Sequence, residues 1–391
     1  MIPPVRHTTR AHHDRDDHDG AVVTAPRVVV AGGHSAGHIE PAMNFADALR
    51  RLEPTAVITA LGTDRGLDTT LIPARGYPLE LIPAIPLPRK LNWALLQAPG
   101  RLLGSVRAAG AVLDRVRAEV VVGFGGYVAV PIYLAARRQG LPIVVHEANA
   151  RPGVANRLAA RMTIHVFTAA PSVRLAHATV IGIPLRPAIT GLDRPALRDA
   201  ARQRFGLRLD GPVLMVTGGS QGAGTINTAV SGAAAALRAA GVQVLHITGP
   251  QYVVEVPAGD PADPPYVVIP YVDEMQYAYA AADFAICRAG AMTCAELAAV
   301  GLPAAYVPLP LRGGEQRLNA EPVVAAGGAL LVDNADLDPA WIETTLIPVL
   351  TDPERIAAMS AHASAAGAPD ADVVLARHVL SVVAELRRFA S

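Results

Sequence analysis

Two glycine-rich turns, each directly after a run of apolar residues, constrain the fold of this chain most strongly. The first, GGHSAGHIEP at residues 32–41, follows the apolar run 28–31, and the second, GGSQGAGT at 218–225, follows the run 213–217. Glycines let the backbone approach a ligand closely, and a helix that begins there offers free N–H groups and a positive dipole end to a phosphate. One such turn is weak evidence. Two of them predict two nucleotide-binding folds that face a shared cleft.

The composition permits two domains and argues against some functions. The chain has 391 residues, of which 51% are hydrophobic, which is enough for one large domain or two ordinary ones. Lys+Arg and Asp+Glu balance at 34 each, which argues against a nucleic-acid-binding protein. The two cysteines, Cys287 and Cys294, do not have the number or spacing of a disulfide framework or a zinc site. We interpret them as buried thiols in a reducing cytoplasm.

The alternation of segments predicts the class of the fold. Short apolar runs alternate with helical stretches in both halves, which indicates α/β domains whose parallel sheets are covered on both faces. The predicted strands are 27–31, 56–61, 79–82, 120–123, 143–146, 213–217, 242–247, 266–268, 284–287 and 304–307. The predicted helices are 39–52, 95–116, 128–138, 153–160, 223–239, 274–281, 291–300, 316–326, 353–364 and 371–389.

A charged N-terminal segment and a link that contains glycine and proline predict the domain bounds. Residues 1–26 carry charges and histidines without the apolar segment of a secretory signal, so we expect a disordered tail. The segment GIPLR at 182–186 predicts the link between the halves. The expected domains are 27–184 and 185–370, followed by a C-terminal helix at 371–391 that can return to the N-terminal domain. No apolar run reaches the roughly 18 residues of a membrane span.

Four further loops carry glycines and hydrogen-bonding side chains, as a ligand with phosphates and hydroxyls requires. They are GFGGYVAVP (123–131), HEANARPG (146–153), CRAGAMTCAE (287–296) and LRGGEQRLNAEP (311–322). In order and separation, the six motifs resemble those of the MurG-type glycosyltransferases of family 28, the undecaprenyldiphospho-muramoylpentapeptide β-N-acetylglucosaminyltransferases. The resemblance runs from Val28 to the region of Asp333. It implies a GT-B fold, in which two Rossmann-like α/β domains with parallel sheets face a central cleft.

The resemblance also implies a reaction and a location. The family moves N-acetylglucosamine from UDP-N-acetylglucosamine (UDP-GlcNAc), with inversion, to the C4 hydroxyl of N-acetylmuramic acid in lipid I, undecaprenyl-diphospho-MurNAc-pentapeptide. The products are lipid II and UDP, and no metal or other cofactor is expected. The implied partners are the two substrates, the anionic inner leaflet of the cell membrane, and cell-wall and division proteins, but no nucleic acid. The implied location is peripheral, at the cytoplasmic face of the membrane.

The resemblance assigns acceptor-side residues one at a time. His38 matches a histidine discussed as a base or as a positioner near the acceptor, and Asn149 matches an asparagine that faces the acceptor and the donor sugar. These two are the candidate catalytic residues. Ser35 and Gly37 of the first loop, together with His38 and Asn149, are also candidate UDP-GlcNAc-binding residues, and Ser35 keeps a hydroxyl where threonine is usual. His34 departs from the family, because glycine is usual there.

The donor-side residues follow in the same way. Arg186 matches an arginine near the diphosphate, and Glu296 matches a glutamate that takes the two ribose hydroxyls, which one carboxylate can accept together. The remaining matches are Ser220, Gln221 and Gly222 at the phosphates, Val272 at the uracil edge beside Tyr271 and Met275, and Glu315, Gln316 and Asn319 around the donor sugar. Glu315 stands where glutamine is more usual, so it can accept a hydrogen bond but cannot donate one.

Each residue alone also has a purely structural interpretation. His38 could cap its helix and Asn149 could close a turn, while Arg186 could pair with a surface carboxylate and Glu296 could lie on a solvated face. Their joint occurrence in six ordered loops favours the functional interpretation, most firmly for Glu296, Ser220 and Gln316.

A segment between residues 83 and 117 predicts membrane contact. It carries one acid, Asp114, against six basic residues, which are Arg89, Lys90, Arg101, Arg107, Arg115 and Arg117. Apolar residues rimmed by positive charge are typical of peripheral docking on anionic lipid. Leu91 and Trp93, in a proline-flanked loop beside Arg89 and Lys90, are the candidates. The alternative is an amphipathic helix packed on the sheet.

Three other functions remain open from the residues themselves. The nearest is a GT-B enzyme that uses a UDP-sugar with another lipid or natural-product acceptor. A nicotinamide dehydrogenase is disfavoured because neither turn has the G-x-G-x-x-G spacing. A non-catalytic sugar-nucleotide-binding protein is disfavoured by His38, Asn149 and Glu296.

Overall fold

The computed structural model describes residues 25–33, 35–84, 93–310 and 313–390. The strands in these residues are β1 (Arg27–Gly32), β2 (Val57–Gly62), β3 (Leu79–Leu81), β4 (Val120–Gly125), β5 (Ile143–Glu147), β6 (His165–Thr168), β7 (Ala178–Val180), β8 (Val213–Thr217), β9 (Gln243–Ile247), β10 (Tyr266–Ile269), β11 (Phe284–Cys287), β12 (Ala304–Tyr306) and β13 (Ala329–Leu331).

Helices separate most of the strands. They are α1 (Ala36–Leu52), α2 (Asp68–Ala74), α3 (Trp93–Arg115), α4 (Ala129–Arg138), α5 (Val154–Ala159), α6 (Pro187–Thr190), α7 (Arg194–Arg204), α8 (Gly224–Gly232), α9 (Ala234–Ala239), α10 (Met275–Ala281), α11 (Ala291–Ala299), α12 (Glu315–Ala325), α13 (Pro339–Trp341), α14 (Ile347–Leu350), α15 (Pro353–Ala365) and α16 (Ala371–Ala390), with a π-helical turn at Ile342–Leu346.

The strands form two parallel sheets. The first has the order β3-β2-β1-β4-β5-β6-β7 and the second the order β10-β9-β8-β11-β12-β13. In both, the strand order reverses beside the first strand, between β1 and β4 and between β8 and β11. Open parallel sheets bind ligands at this switch point, beyond the carboxyl ends of the strands. The two glycine-rich turns follow β1 and β8, so each lies at a switch point. The predicted α/β class with parallel sheets is confirmed.

Both faces of the first sheet are covered, which explains its continuous apolar strands. Val28 and Val30 pack with Phe45 of α1 on one face. Val29 on the other face packs with Val106 of α3 and with α4. Strands buried on both faces have this unbroken apolar pattern rather than an alternating one. We call the body around this sheet the N-terminal domain, and the body around the second sheet the C-terminal domain.

The chain passes between the two sheets twice. It leaves the first sheet after β7, and it returns through α16, whose Leu375 and Val379 lie in the core that packs under α1. Arg51 also pairs with Asp372 at 2.8 Å. The two crossing segments lie side by side, since a Cβ built on Gly182 would come within 2.5 Å of the Ala368 Cβ.

Several elements differ from the sequence-based predictions. The helix predicted over 223–239 is interrupted at Ala233, after Gly232, which lies against Pro339 and weakens a helix interior. Trp93, expected in a loop, is the first residue of α3. The elements without a prediction are β6, β7, β13, α2, α6, α7, α13 and α14.

Some predictions lie outside the described residues. They concern the tail up to residue 24, His34, Arg89, Lys90, Leu91 and the side chain of Trp93. In the part of the chain that is described, no helix combines the length and the hydropathy that crossing a bilayer requires.

Candidate functional site

The loop after β1 orients a histidine towards the neighbouring loop of the same sheet. The Ser35 hydroxyl and His38 Nδ1 lie 2.9 Å apart, across the first turn of α1. The His38 ring lies beside Gly125 at the end of β4, where a built Cβ would come within 3.3 Å of His38 Cδ2. Gly37, which lies between Ser35 and His38 in the sequence, is exposed. Ser35 therefore helps fix the orientation of the imidazole at the switch point of the first sheet.

Glu147 organises the loop after β5. Its Oε1 accepts from the Asn149 N–H, and its Oε2 accepts from the Gly153 N–H, both at 2.9 Å. Asn156 Nδ2 donates to the same Oε2 at 3.0 Å, and the Tyr133 hydroxyl donates to Asn156 Oδ1 at 2.8 Å. Burial raises the pKa of the Glu147 carboxyl, and these hydrogen bonds act in the opposite direction. One buried carboxylate thus holds the backbone that presents Asn149.

The same loop touches the C-terminal domain. The Ala150 N–H donates to Asn319 Oδ1 at 3.1 Å, and Asn319 Nδ2 donates to the Ala289 carbonyl at 3.2 Å. Arg151 lies against Gly313. Asn319 therefore links the loop after β5 to α12, a contact that the sequence motifs did not predict.

Arg186 also bridges the two domains. It follows β7, directly before α6, and its Nη2 lies 2.8 Å from Glu40 Oε2 on α1. Burial lowers the pKa of Arg186 and the Glu40 carboxylate raises it, with a net upward shift. A guanidinium at this place offers a fixed positive charge at the mouth of the cleft.

A pocket in the C-terminal domain brings four of the predicted donor residues together. Arg186, Ser220, Val272 and Glu296 line it, and Tyr271, Met275, Tyr279, Ile189, Gln276, Thr217, Gly219, Ile247 and Thr293 complete it. Val272 follows β10, Glu296 lies on α11 and Ser220 follows β8. The residues thus come from three strand-following segments at the carboxyl edge of one sheet, as a nucleotide site requires.

Glu296 is held in this pocket by a phenol. The Tyr279 hydroxyl donates to Glu296 Oε2 at 2.7 Å. Burial raises the pKa of Glu296, while Tyr279 and Arg186 act in the opposite direction. The other carboxylate oxygen retains acceptor capacity for hydroxyl groups.

An adjoining pocket contains the second glycine-rich turn. It is lined by residues 218–225 together with Gln316, Thr293, Arg288, Asn334, Tyr252, Gly290, Leu309 and Pro310. Gly219, Ser220 and Thr293 line both pockets, so the two are continuous. Gln316 Oε1 accepts from the Leu309 N–H at 2.9 Å. Ser220 and Gln221 are exposed at the turn, where Gly222 has a φ of 76°.

Other predicted residues lie elsewhere around the cleft. Asn319 lines the cavity between the domains with Ala148 and Ala150 rather than either of the two pockets described above, and Glu315 is the first residue of α12. Sequence reasoning missed Tyr279, Arg288 and Glu147. Two of them stood inside motifs that were singled out, Arg288 in CRAGAMTCAE and Glu147 in HEANARPG.

Arg288 adds a second positive group beside the turn. Its Nη1 donates to the Val307 carbonyl at 3.1 Å and to Asn334 Oδ1 at 2.7 Å. The described residues contain no group of three or more His, Cys, Asp or Glu side chains placed to hold a metal ion. The groups that can meet a phosphate here are the N–H groups of the turn, Arg186 and Arg288.

Comparison with known proteins gives the family. The profile of the glycosyltransferase family 28 N-terminal domain matches residues 28–168, and that of the family 28 C-terminal domain matches residues 213–375. Relatives named UDP-N-acetylglucosamine–N-acetylmuramyl-(pentapeptide) pyrophosphoryl-undecaprenol N-acetylglucosamine transferase include one from Streptomyces avermitilis, 56% identical over 92% of this chain and 99% of the relative. Another, from Mycolicibacterium smegmatis, is 57% identical over 93% of this chain and 94% of the relative.

A solved structure agrees. The crystal structure of MurG from Acinetobacter baumannii superposes with a TM-score of 0.75 at 26% identity, and the match covers 92% of this chain and 99% of that one. The fold is of the predicted GT-B type. The chain belongs to glycosyltransferase family 28.

Proposed function

We propose that this chain transfers N-acetylglucosamine from UDP-GlcNAc to the C4 hydroxyl of N-acetylmuramic acid in lipid I, giving lipid II and UDP. The observation that carries the proposal is the continuous pocket in which Arg186, Ser220 and Glu296 meet at the carboxyl edge of the second sheet. The names of the relatives, at more than half identity over nearly the whole chain, support the same reaction.

The donor lies in the C-terminal domain. Glu296 accepts the ribose hydroxyls, and the backbone of Val272 reads the uracil edge. The diphosphate meets the N–H groups of residues 218–223, with Ser220, Gln221 and Gly222, and the charge of Arg186. The sugar extends towards Gln316 and Glu315. Asn319 acts beside it, through the Ala150 contact that joins the acceptor-side loop to α12.

The acceptor enters from the N-terminal domain. Its C4 hydroxyl attacks the anomeric carbon from the face opposite UDP, so the product linkage is inverted. His38, oriented by Ser35, accepts the hydroxyl proton as general base. Asn149, on the loop held by Glu147, faces the reacting sugars. The charge that grows on UDP is met by helix-end N–H groups and Arg186.

The acceptor is a lipid, so we place the enzyme peripherally at the cytoplasmic face of an anionic membrane. Arg89, Lys90, Leu91 and Trp93 make the contact. In the described part of the same segment, Leu103 of α3 is 43% exposed, and Arg101 and Arg107 are exposed near it. Cell-wall and division proteins are further partners at this surface.

The proposed domain bounds follow the two crossings of the chain. We assign 27–184 to the N-terminal domain and 185–370 to the C-terminal domain, with a C-terminal helix from 371 that packs on the N-terminal sheet. The contacts of Leu375 and Val379 support this division.

The function is tested by incubating the protein with UDP-GlcNAc and a short-chain lipid I analogue. A β-linked disaccharide product and one UDP per transfer are expected, with slow UDP release when the acceptor is left out. A matched control is Glu354→Gln, at an exposed position of α15, which should transfer like the unchanged protein. Transfer to another lipid or natural-product acceptor, with none to the lipid I analogue, would establish the alternative function.

A further inference from the structure

A buried chain of polar side chains runs behind the phosphate-binding turn, residues 218–223, of the C-terminal domain. The Tyr266 hydroxyl lies 2.9 Å from His246 Nδ1. His246 Nε2 lies 3.1 Å from Asn227 Oδ1, and Asn227 Nδ2 donates to the Thr248 carbonyl at 3.0 Å. His246 and Asn227 are buried. The chain joins β10, β9 and α8.

The hydrogen bonds of this chain have one direction. Since the Asn227 amide nitrogen donates to a carbonyl, Asn227 Oδ1 must accept from His246. His246 Nε2 therefore carries the proton, and Nδ1 accepts from the Tyr266 hydroxyl. Burial lowers the pKa of His246 to about 4, so the ring stays neutral at ordinary pH. Every member of the chain is satisfied, which makes it rigid.

The end of this chain supports the phosphate-binding turn. Thr248 is followed by Gly249, and a Cβ built on Gly249 would come within 2.5 Å of the Gly222 Cα. The backbone of the turn thus rests directly on the Thr248–Gly249 segment. Asn227 also lies in the first turn of α8, where its N–H donates to the Ala223 carbonyl at 2.9 Å. It therefore ties the beginning of α8 to the segment beneath the turn.

We propose that Asn227 and His246 are positioning residues for the donor diphosphate, because they hold the N–H groups of residues 218–223 in the arrangement that binds it. The inference rests on the proposed function, since it needs this turn to bind UDP. Neither side chain lines the donor pockets described above. Both act through the Thr248 carbonyl and the beginning of α8. Their loss lets the turn move, and preorganised donors bind an anion better than mobile ones.

The test compares variants of the full chain by UDP affinity, measured calorimetrically, and by the KM values of donor and acceptor. Asn227→Ala should weaken UDP binding at least about tenfold. This is the loss expected when one N–H group of the turn no longer donates to the charged diphosphate. The donor KM should rise with it, while the acceptor KM stays within about twofold. Asn227→Asp should lose as much, because its carboxylate cannot donate to Thr248. Tyr266→Phe removes only the outermost link and should change UDP affinity less than about threefold.

Gln243 offers a matched control at the other end of the same strand. It is buried, and it bonds the Arg208 N–H and the Asp210 carbonyl, each at 2.6 Å, away from the turn. Gln243→Ala should lower the melting temperature and leave UDP affinity within about twofold. A lowered melting temperature in Asn227→Ala with unchanged UDP affinity would overturn the proposal.

Two further outcomes are distinguishable. If Asn227→Ala does not fold, the comparison is made with His246→Gln. This variant should weaken UDP binding about three- to tenfold. Unchanged UDP affinity in His246→Gln would overturn the proposal. If the unchanged protein fails to bind UDP, the proposed function fails, and this inference fails with it.

Discussion

Glu40 Oε2 lies 2.8 Å from Arg186 Nη2, so a carboxylate of the N-terminal domain holds the arginine that we assign to the donor diphosphate. The same oxygen lies 3.1 Å from Arg75 Nη1, which keeps the carboxylate in place. Because Glu40 and an arriving diphosphate are both anionic, we expect them to compete for one guanidinium. Under the proposed function, donor binding would then replace a contact between the domains by a contact with the ligand.

This competition predicts opposite effects of two substitutions. Arg186→Ala should weaken UDP binding about tenfold, because it removes a charge-assisted contact. Glu40→Gln should tighten UDP binding about two- to threefold, because the guanidinium is then available to the diphosphate. Calorimetric titration with UDP measures both, and Glu80→Gln, which removes the surface partner of Arg115, is the control. If Glu40→Gln weakened UDP binding, Glu40 would orient Arg186 for the diphosphate rather than compete with the diphosphate for it.

The proposed contact of Glu296 with the donor ribose predicts a donor-specific defect. Hydrogen bonds to a charged acceptor contribute about 1.5–3 kcal/mol each, so Glu296→Ala should raise the donor KM at least tenfold. Tyr279→Phe leaves the carboxylate but removes its 2.7 Å hydrogen bond, so a smaller rise is expected. A folded Glu296→Ala protein with an unchanged donor KM would contradict the assignment.

Glu296 also predicts a pH dependence of donor binding. Burial raises the pKa of this carboxyl, so it takes up a proton at a higher pH than an ordinary glutamate. The ionised form is the better acceptor of ribose hydroxyls. UDP affinity should therefore be full above the raised pKa and fall as the pH drops through it. In Glu296→Gln, which does not titrate, this fall should be missing from the affinity profile.

The position of His38 predicts a defect in kcat. If His38 is the general base, His38→Ala should lower kcat by roughly 10²–10⁴ with little change in UDP affinity. Ser35→Ala should lower kcat less, because it removes only the 2.9 Å contact to Nδ1. His362→Ala, on an exposed surface of α15, is the control. A decrease of less than tenfold for His38→Ala would leave the residue a positioning role.

The groups that we assign to the donor phosphates predict that transfer is insensitive to chelation. The N–H groups of residues 218–223 and the charge of Arg186 can hold a diphosphate without a bridging cation. Transfer should therefore continue in EDTA at an unchanged rate. Complete loss of activity, restored by Mg²⁺ or Mn²⁺, would require a different account of the leaving group.

The basic and apolar residues at the beginning of α3 and directly before it predict a membrane-specific defect. Each basic residue near an anionic surface contributes about 1 kcal/mol, so the double variant Arg89→Glu with Trp93→Ser should bind anionic vesicles less well. It should lose activity on lipid I in bilayers and keep it on a short-chain soluble acceptor. Arg355→Glu, an equal charge change on the C-terminal domain, should change neither vesicle binding nor activity on lipid I in bilayers. Equal losses on both acceptors would show that the segment is structural.

The strands with the clearest apolar pattern and the motifs of the candidate site could be predicted because they depend on local sequence. Strands such as β1 and β8 are unbroken apolar runs, each followed by a glycine-rich turn. β7 has no such pattern, since all three of its residues are exposed, and its place comes from pairing with β6 at the edge of the sheet. α7 is mostly polar, and the signal that could have found it is the Asp193 cap followed by Pro195 in the first turn.

The contacts within the site could not be predicted in the same way. Glu296 and Ser220 stood in recognisable motifs, but Tyr279 lies 17 residues from Glu296 and meets it only through the packing of α10 and α11. Glu40 and Arg186 are 146 residues apart. Such pairs depend on how separate elements are placed in three dimensions, and no local pattern reports them.

The paired crossings at Gly182 and Ala368 have a mechanical consequence. A single connecting segment would let one half of the enzyme swivel freely about the other. Two segments in contact resist twisting of one domain against the other more than a single segment does. Bending about the paired segments is then the easier motion, and the cleft would open and close by that bending. His38 and the phosphate-binding turn would return to the same alignment at each closure.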